Sequence, residues 1–278
     1  MSHFYFGTVG APISTPKKPG GSVGAIQTLG SLGLFAFELG WVQSVRVSEE
    51  TCALIKKEAL EKKVHLSVHA PYFINLNANE EEWPKSRQRL MDAAHYGNLA
   101  GATDVIFHPG SYFEKPASDV LKVAIPRLAV CVSELRQKGN PAILRPETMG
   151  KSSMLGSLED TLMMSAEIPG VLPCLDFAHL HARPGDGTMN SRSEWENTLQ
   201  LYEKYLGKES LHAIHIHLSG IEYTPKGEKN HLPLRESDLN VADLLKTLKD
   251  ADCSGRILCE SPVMEEDSLY MKSLWESF

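Results

Sequence analysis

Histidines and carboxylates, residue types that can bind metal ions, stand at the ends of six apolar runs in this 278-residue chain. Four of them end successive runs in the second half: Glu147 in AILRPET, Asp176 in LPCLDFAH, His217 in AIHIHLSG and Glu260 in RILCESP. Two earlier runs end in His69 (SVHAPY) and His108 (IFHPG). Buried carboxylates are unfavourable unless a cation or a partner neutralises them. The pattern therefore predicts a metal site.

Two more histidines follow closely behind strand ends. His179 comes three residues after Asp176, and His231 lies in the segment GEKNHLP. Together with the first six, they give eight imidazole and carboxylate ligands and no thiolate, a set that favours zinc or manganese. A bridging carboxylate would allow two ions about 3.5–4 Å apart, an arrangement suited to phosphodiester hydrolysis.

The segments that position these residues alternate between short apolar runs and longer amphipathic stretches. Eight runs read as buried parallel strands: FYFGTVG, LFAFELG, VHLSVHAP, DVIFHPG, AILRPET, LPCLDFAH, HAIHIHLSG and RILCESP. Helix-like segments cover 48–63, 80–101, 116–138, 157–167, 192–206, 237–251 and 265–278. A doubly wound sheet would give a similar alternation, but the count of eight favours an α/β fold of the (β/α)8 TIM-barrel type.

Composition limits the class of protein. No linker or charge block divides residues 1–278, so one domain is expected. Five scattered cysteines without a CxxC pair, and a start without signal-peptide character, predict a reduced, cytoplasmic protein. We expect a monomer. We also expect no membrane partner, since no apolar run is long enough to span a bilayer. The formal net charge of −7 argues against a broad basic surface for nucleic acid.

Two connections at the carboxyl ends of the strands look long and irregular. They cover 181–191 and 220–235, and such loops usually build substrate contacts in barrels. Arg183 in the first loop is a candidate phosphate contact. Arg145 points into the barrel two residues before Glu147, and we expect it to pair with a buried carboxylate such as Glu38.

Several motifs resemble the metal motifs of the endonuclease IV family of apurinic/apyrimidinic endonucleases. They are SVHAPYFINLNA, VIFHPGS, the glutamate of RPETMG, LDFAHLHARPG, the HxHLSG run and CESP, spanning 69–262. The resemblance implies a (β/α)8 barrel that cuts the DNA backbone 5′ to abasic sites in base excision repair. It also implies a trinuclear zinc cluster with a zinc-bound hydroxide as nucleophile, and damaged DNA as the partner.

The resemblance gives each candidate residue a role. Metal ligands would be His69 and His108 for the first ion, Asp176, His217 and Glu260 for the second, and His179 and His231 for the third. Glu147 would bridge the first two ions and position the nucleophile. Tyr72 would contact a base or sugar beside the metal histidines, or else pack over the barrel mouth.

The chain departs from the family at the third ion. The family has an aspartate two residues before the second histidine of that site, whereas this chain has Lys229. Two zinc ions are therefore expected, with Mn²⁺ as the other ion that the ligands suit. The third site depends on whether Glu228 substitutes as a ligand or the site stays empty.

Two other functions stay open on the sequence. Sugar isomerases and epimerases similar to xylose isomerase also place Glu, Asp, His and Glu at the ends of strands five to eight. The four additional histidines favour a phosphodiesterase, because a one-metal epimerase does not require them. A protein that binds damaged nucleic acid or a sugar phosphate without cutting is the third class. Three zinc ions per chain would indicate the endonuclease, one manganese or magnesium an isomerase, and none a binding protein.

Overall fold

Eight parallel strands form a barrel in the computed structural model, which describes residues 3–278. The strands are β1 (Phe4–Val9), β2 (Ala36–Gly40), β3 (His65–His69), β4 (Asp104–Phe107), β5 (Ile143–Pro146), β6 (Cys174–Asp176), β7 (Ile214–Leu218), β8 (Gly220–Thr224), β9 (Gly227–Leu232) and β10 (Gly255–Cys259). All except β8 and β9 belong to the barrel, in the order β5-β4-β3-β2-β1-β10-β7-β6. Backbone bridges from Leu144 to Val171 and from Glu147 to Cys174 bring β5 next to β6. The predicted α/β TIM-barrel fold is confirmed.

Helices connect the strands. They are α1 (Gly21–Leu32), α2 (Glu49–Lys62), α3 (Trp83–Ala100), α4 (Ala117–Gln137), α5 (Leu158–Glu167), α6 (Phe177–Ala182), α7 (Arg192–Leu206), α8 (Val241–Asp250) and α9 (Glu265–Ser277). Their apolar faces are buried, as in α8, where Val241, Leu244, Leu245 and Leu248 recur at helical spacing. All seven predicted helices are present, with ends that differ by a few residues.

Helix α1 is absent from the sequence prediction. The glycines in this segment argue against a helix in the sequence, since glycine in a helix interior lowers helix stability by about 1 kcal/mol relative to alanine. Close packing explains why they are present: a Cβ on Gly24 would lie 2.9 Å from the carbonyl oxygen of Pro19, and one on Gly30 would lie 3.3 Å from Lys62 Cβ. Burial of Ile26 and Leu29 then holds the helix on the barrel.

All five cysteines are buried free thiols. Over residues 3–278, no helix combines the length and the apolarity that a membrane crossing requires. The domain limits at residues 1 and 278, the monomeric state and the cytoplasmic location stay predictions.

A buried ion cluster fills the amino-terminal end of the barrel. Arg145 Nε donates to Oδ1 of Asp104 at 2.6 Å, and Arg256 Nη1 lies 3.0 Å from Oδ2. The expected pairing of Arg145 with a buried carboxylate is observed, but its partner is Asp104, the first residue of the neighbouring strand β4, and not Glu38. Burial alone raises the pKa of Asp104, but the two guanidinium groups hold it below its usual value.

Replacing Asp104 by asparagine is expected to lower the free energy of unfolding at pH 7 by about 3–5 kcal/mol, because two buried guanidinium groups lose their counter-charge. Since the pKa of Asp104 is lowered, its stabilisation is full above about pH 3.9 and is lost as the pH falls towards the folded value. Urea unfolding at pH 7 and below pH 4 measures both effects. The exposed Asp119→Asn on α4 is the control, expected to change stability by less than about 0.5 kcal/mol. Equal stability of the two variants would contradict the prediction.

Candidate metal centre

The eight predicted ligands meet at the carboxyl ends of the strands. His69 and Asp176 are the last residues of β3 and β6, and the residues that follow β4, β5 and β10 are His108, Glu147 and Glu260. Their ligand atoms form three groups, each with all atoms within 4.8 Å: His69, His108 and Glu147; Glu147, Asp176, His217 and Glu260; and Asp176, His179 and His231. These groups coincide with the sets predicted for three ions, except that Asp176 also belongs to the third.

The two oxygens of Glu147 face different groups. Oε2 lies 3.2 Å from Nε2 of His69 and 3.4 Å from Nε2 of His108. Oε1 lies 3.4 Å from Nδ1 of His217 and 3.3 Å from Nδ1 of His179. Burial alone raises the pKa of Glu147, but His217 and His108 outweigh it and hold that pKa well below its usual value. The carboxylate is therefore placed to bridge two cations.

The spacing of ligand atoms fits a shared cation better than hydrogen bonds. Atoms about 2.0–2.1 Å from a tetrahedral zinc ion lie about 3.3 Å from one another, close to the distances around Glu147. Within residues 3–278, Oε1 of Glu147, Oδ2 of Asp176 and Nδ1 of His217 are buried without a hydrogen-bond partner. Such orphaned polar atoms destabilise a protein unless something binds them. A cation in the second group would bind all three.

Backbone carbonyls orient three of the imidazoles. The Nδ1 atoms of His69, His179 and His231 lie 2.9, 2.9 and 3.2 Å from the carbonyl oxygens of Ala70, Thr148 and Glu260. A proton on Nδ1 donates to the carbonyl and leaves the lone pair of Nε2 for a metal. For His69 and His231, Nε2 is the nitrogen that faces the other ligands, whereas His179 faces His231 through Nε2 and Glu147 through Nδ1.

Glu38 on β2 holds the fourth imidazole, and sequence analysis did not give it this role. Its Oε1 lies 3.0 Å from Nε2 of His217, whose Nδ1 faces the metal groups. Its Oε2 lies 3.0 Å from Nε2 of His215 and accepts from Ser67 at 2.6 Å. The only sequence signal was an acid at an inward position of an otherwise apolar run. The negative charge of Glu38 beside Nε2 of His217 leaves Nδ1 as the nitrogen that faces the ligand groups.

Replacing Glu38 by glutamine is expected to weaken zinc binding by about 10–100-fold, because His217 loses the negative charge that lies 3.0 Å from its Nε2. Competition with a chromophoric chelator measures this affinity. Ser67→Ala serves as the matched control, since it removes a contact to Glu38 but leaves the contact to His217. The role assigned to Glu38 fails if both variants bind zinc as tightly as the native chain.

The two carboxylate oxygens of Asp176, at the end of β6, have different surroundings. Its Oδ1 accepts from the backbone N–H of His179 at 2.7 Å and so caps helix α6, which was not predicted. This cap places the imidazole of His179 one turn above the strand, while Oδ2 stays free. Burial raises the pKa of Asp176 to about 7. A nearby cation would favour the ionised form.

Tyr72 and Arg183 are the two predicted substrate contacts. The Tyr72 ring is 44% exposed and stacks on His108, with centroids 4.8 Å apart, so it borders the open side of the centre. Arg183 instead donates to the backbone carbonyls of Met149, Lys151 and Met154 at 2.6–3.1 Å. Through these hydrogen bonds Arg183 stabilises the loop that follows β5. Contact of either residue with substrate stays a prediction.

The segment 220–235, predicted as an irregular loop, is an antiparallel hairpin of β8 and β9. Its polar composition lacks the apolar alternation that indicates a strand. The hairpin carries His231 to the centre, where its Nε2 lies 3.4 Å from Nε2 of His179. The third group of ligands therefore forms because the pairing of β8 with β9 brings His231 next to His179.

Sequence comparison places this geometry among known proteins. A family described as xylose isomerase-like TIM barrel matches residues 26–274. The uncharacterized protein MJ0133 of Methanocaldococcus jannaschii is 38% identical over 96% of this chain and 94% of its own length. Endonuclease 4 of Thermus thermophilus is 26% identical over 70% of this chain and 71% of its own.

Two solved structures are similar over almost the whole chain. Endonuclease IV from Thermus thermophilus has a TM-score of 0.71 at 22% identity, covering 97% of this chain and 98% of its own. A D-tagatose 3-epimerase-like protein has a TM-score of 0.72 at 17% identity, covering 97% and 96%. At such identities the structures establish the fold alone. Together with the sequence matches, they confirm the resemblance to endonuclease IV that the motifs predicted.

Proposed function

Because this chain belongs to the xylose isomerase-like TIM barrel family, we propose that it is a zinc-dependent phosphodiesterase that cleaves DNA 5′ to abasic sites. The observation that carries the proposal is the joining of two ligand groups through Glu147. Hydrolysis of a phosphodiester benefits from two ions that share a carboxylate. The similarity to endonuclease 4 of Thermus thermophilus supports a hydrolase of this type.

The residues divide the work of the site. When bound, two divalent ions supply a water of lowered pKa as nucleophile and a positive clamp on the phosphate oxygens. Glu147 holds one carboxylate oxygen towards each ligand group and would thereby orient the attacking water. Tyr72 borders the open side, where it would stack on the sugar or base next to the lesion.

A sugar epimerase is the alternative that shares the most residues. Such a site needs only one ion, held by Glu147, Asp176, His217 and Glu260. It leaves no role for buried His69 and partly exposed His108, whose Nε2 atoms both face the second oxygen of Glu147. This additional ligand group, formed by His69 and His108, is the reason to prefer phosphodiester hydrolysis over epimerisation. Manganese would suit the same ligands.

A side-by-side assay tests the proposal. The zinc-loaded protein is incubated with a duplex that carries one abasic site, with the same duplex lacking the lesion, and with a ketohexose. We expect cleavage of the first substrate alone. Epimerisation of the sugar with both duplexes intact would replace the proposal by the epimerase. Inactivity on all three substrates by a chain that retains no zinc after the loading step would point to a binding protein.

A further inference from the structure

Charged and polar side chains face the inside of the barrel at its amino-terminal end. Each lies two or four residues before one of the candidate metal ligands, so strand alternation turns it to the same inner face. They are His65, Asp104, Arg145, His215 and Arg256. Barrels of this type usually fill their interior with branched apolar side chains. The polar layer at this end is therefore not explained by packing alone.

A cavity of about 510 Å³ opens to solvent beside the ion cluster of Asp104, Arg145 and Arg256. All five inward-facing side chains line it, and the exposed imidazoles of His3 and His212 stand at its rim. Small-molecule sites in proteins have volumes of about 300–1,000 Å³. The cavity is therefore large enough for a small ligand, and it lies at the opposite end of the barrel from the candidate metal centre.

The lining of this cavity carries an excess of positive charge. Among its residues within 3–278, Asp104 bears the single carboxylate, and both Arg145 and Arg256 contact it. One guanidinium charge therefore has no counter-charge in the lining. The excess is local, because the chain as a whole has a formal net charge of −7. A partly buried charge without a partner favours the binding of an ion of opposite sign.

Carboxylates next to the cavity are engaged by imidazoles. Glu38 lies behind the lining, with its Oε2 3.0 Å from Nε2 of His215. At the rim, Glu209 and Asp252 lie 3.6 and 3.9 Å from the ring nitrogens of His212. None of these three carboxylates is part of the lining, so none of them supplies the missing counter-charge inside the cavity.

The pKa values of two lining residues reflect this excess. Burial lowers the pKa of the Arg256 guanidinium, Asp104 opposes that shift, and Arg145 adds to it. Burial also lowers the pKa of the His65 imidazole, and the neighbouring Arg256 and His3 lower it further. A nearby anion stabilises positive charges that lower one another's pKa in this way.

The guanidinium of Arg256 is oriented before any ligand binds. Its Nη1 donates to the carbonyl oxygen of Leu66 at 3.1 Å, and its Nη2 donates to Oγ1 of Thr103 at 2.6 Å. The side chain is nevertheless 15% exposed, on the wall of the cavity. A guanidinium has five N–H groups, so the contacts to Leu66, Thr103 and Asp104 leave donors for a further acceptor. Guanidinium groups of fixed orientation suit phosphate oxygens.

We propose that this cavity binds a phosphate group, either as free phosphate or as part of a small phosphomonoester. Its negative charge supplies what the lining lacks. Phosphate also offers more acceptor oxygens than a carboxylate does to the donors of the lining, which are Arg256 and the imidazoles of His3 and His65. The site is separate from the metal centre, so the inference goes beyond the proposed function and does not depend on it.

Calorimetric titration of the zinc-loaded chain with inorganic phosphate, deoxyribose 5-phosphate and acetate tests the inference. The His65 ring packs on Tyr5, with centroids 4.0 Å apart, so His65→Glu adds a carboxylate to the lining without removing a member of the ion cluster. We expect this variant and Arg256→Gln to raise the Kd of phosphate for the cavity at least about tenfold. The control is His95→Glu, the same change at an exposed position of α3 outside the cavity, which should bind phosphate as the native chain does. Circular dichroism verifies that each variant is folded.

The three probes separate the possible ligands. Equal binding of the two phosphate compounds would identify phosphate itself, and tighter binding of deoxyribose 5-phosphate would identify a phosphomonoester. The inference is overturned if the native chain binds no phosphate, or if acetate binds as tightly as phosphate. It is also overturned if His65→Glu and folded Arg256→Gln keep the native affinity, which would leave phosphate at the metal centre alone, or if His95→Glu loses as much affinity as His65→Glu.

Discussion

Replacing Glu147 by glutamine is expected to reduce the rate constant for cleavage of abasic DNA by at least about 10³-fold, since loss of a single stabilising donor already lowers rates by about 10²–10³. Glu147 contributes more than one contact, because each of its oxygens faces a different group of histidines. The amide is uncharged and its nitrogen cannot bind a cation, so one of the two ligand groups loses its shared ligand. Single-turnover kinetics on a duplex with one abasic site measures the effect.

The control for Glu147→Gln is Glu222→Gln, which removes a carboxylate from the hairpin outside the ligand groups. It should cut at the native rate. The thermal unfolding midpoint of each variant verifies that it is folded. Native-like cleavage by a folded Glu147→Gln chain would remove the basis for a bridging carboxylate.

Removal of metal is expected to abolish cleavage and to destabilise the protein. Without cations, Glu147, Asp176 and Glu260 form a cluster of carboxylates, in which one oxygen each of Glu147 and Asp176 is buried without a hydrogen-bond partner. An ion that binds only the folded chain stabilises it by about 4 kcal/mol at a concentration 1,000 times its Kd. For a chain of this size, 1 kcal/mol shifts the unfolding midpoint by about 2–4 °C. Calorimetry with zinc and with a chelator should therefore show a difference of roughly 10 °C.

Restoration completes this second prediction. Zinc added back after chelation should recover both the midpoint and the cleavage, whereas magnesium should recover neither, because imidazole-rich sites suit zinc better than magnesium. An identical midpoint with zinc and with chelator would mean that the eight side chains do not form a metal centre. Recovery with magnesium alone would favour the isomerase.

The ligands at strand ends were predictable from the sequence because of where parallel strands leave them. An apolar run that stops at a histidine or a carboxylate marks the end of a buried strand, and all such ends lie on one face of a barrel. His69, Asp176 and Glu260 could be assigned in this way without knowledge of any contact. The grouping of these residues came from the family resemblance, and the distances agree with it.

Other parts of the site depend on contacts that a linear pattern does not contain. Glu38 lies far from His217 in the chain and meets it across the barrel interior. Glu228 comes within 3.6 Å of Nε2 of His179 because β8 and β9 pair as a hairpin, which the polar composition of the segment does not predict. Arg183 carries a guanidinium group of the kind that binds phosphate, but this group donates to three backbone carbonyls instead.

The central claim is that the centre organised by Glu147 hydrolyses the DNA backbone, and the products of cleavage in oxygen-18 water test it most directly. Hydrolysis 5′ to an abasic site leaves a 3′-hydroxyl on one fragment and places an oxygen-18 atom on the 5′-phosphate of the other. We expect both features in the mass spectra of products from the zinc-loaded chain. An unsaturated 3′ end without oxygen-18, or an intact strand after incubation with the fully zinc-loaded protein, would contradict the account.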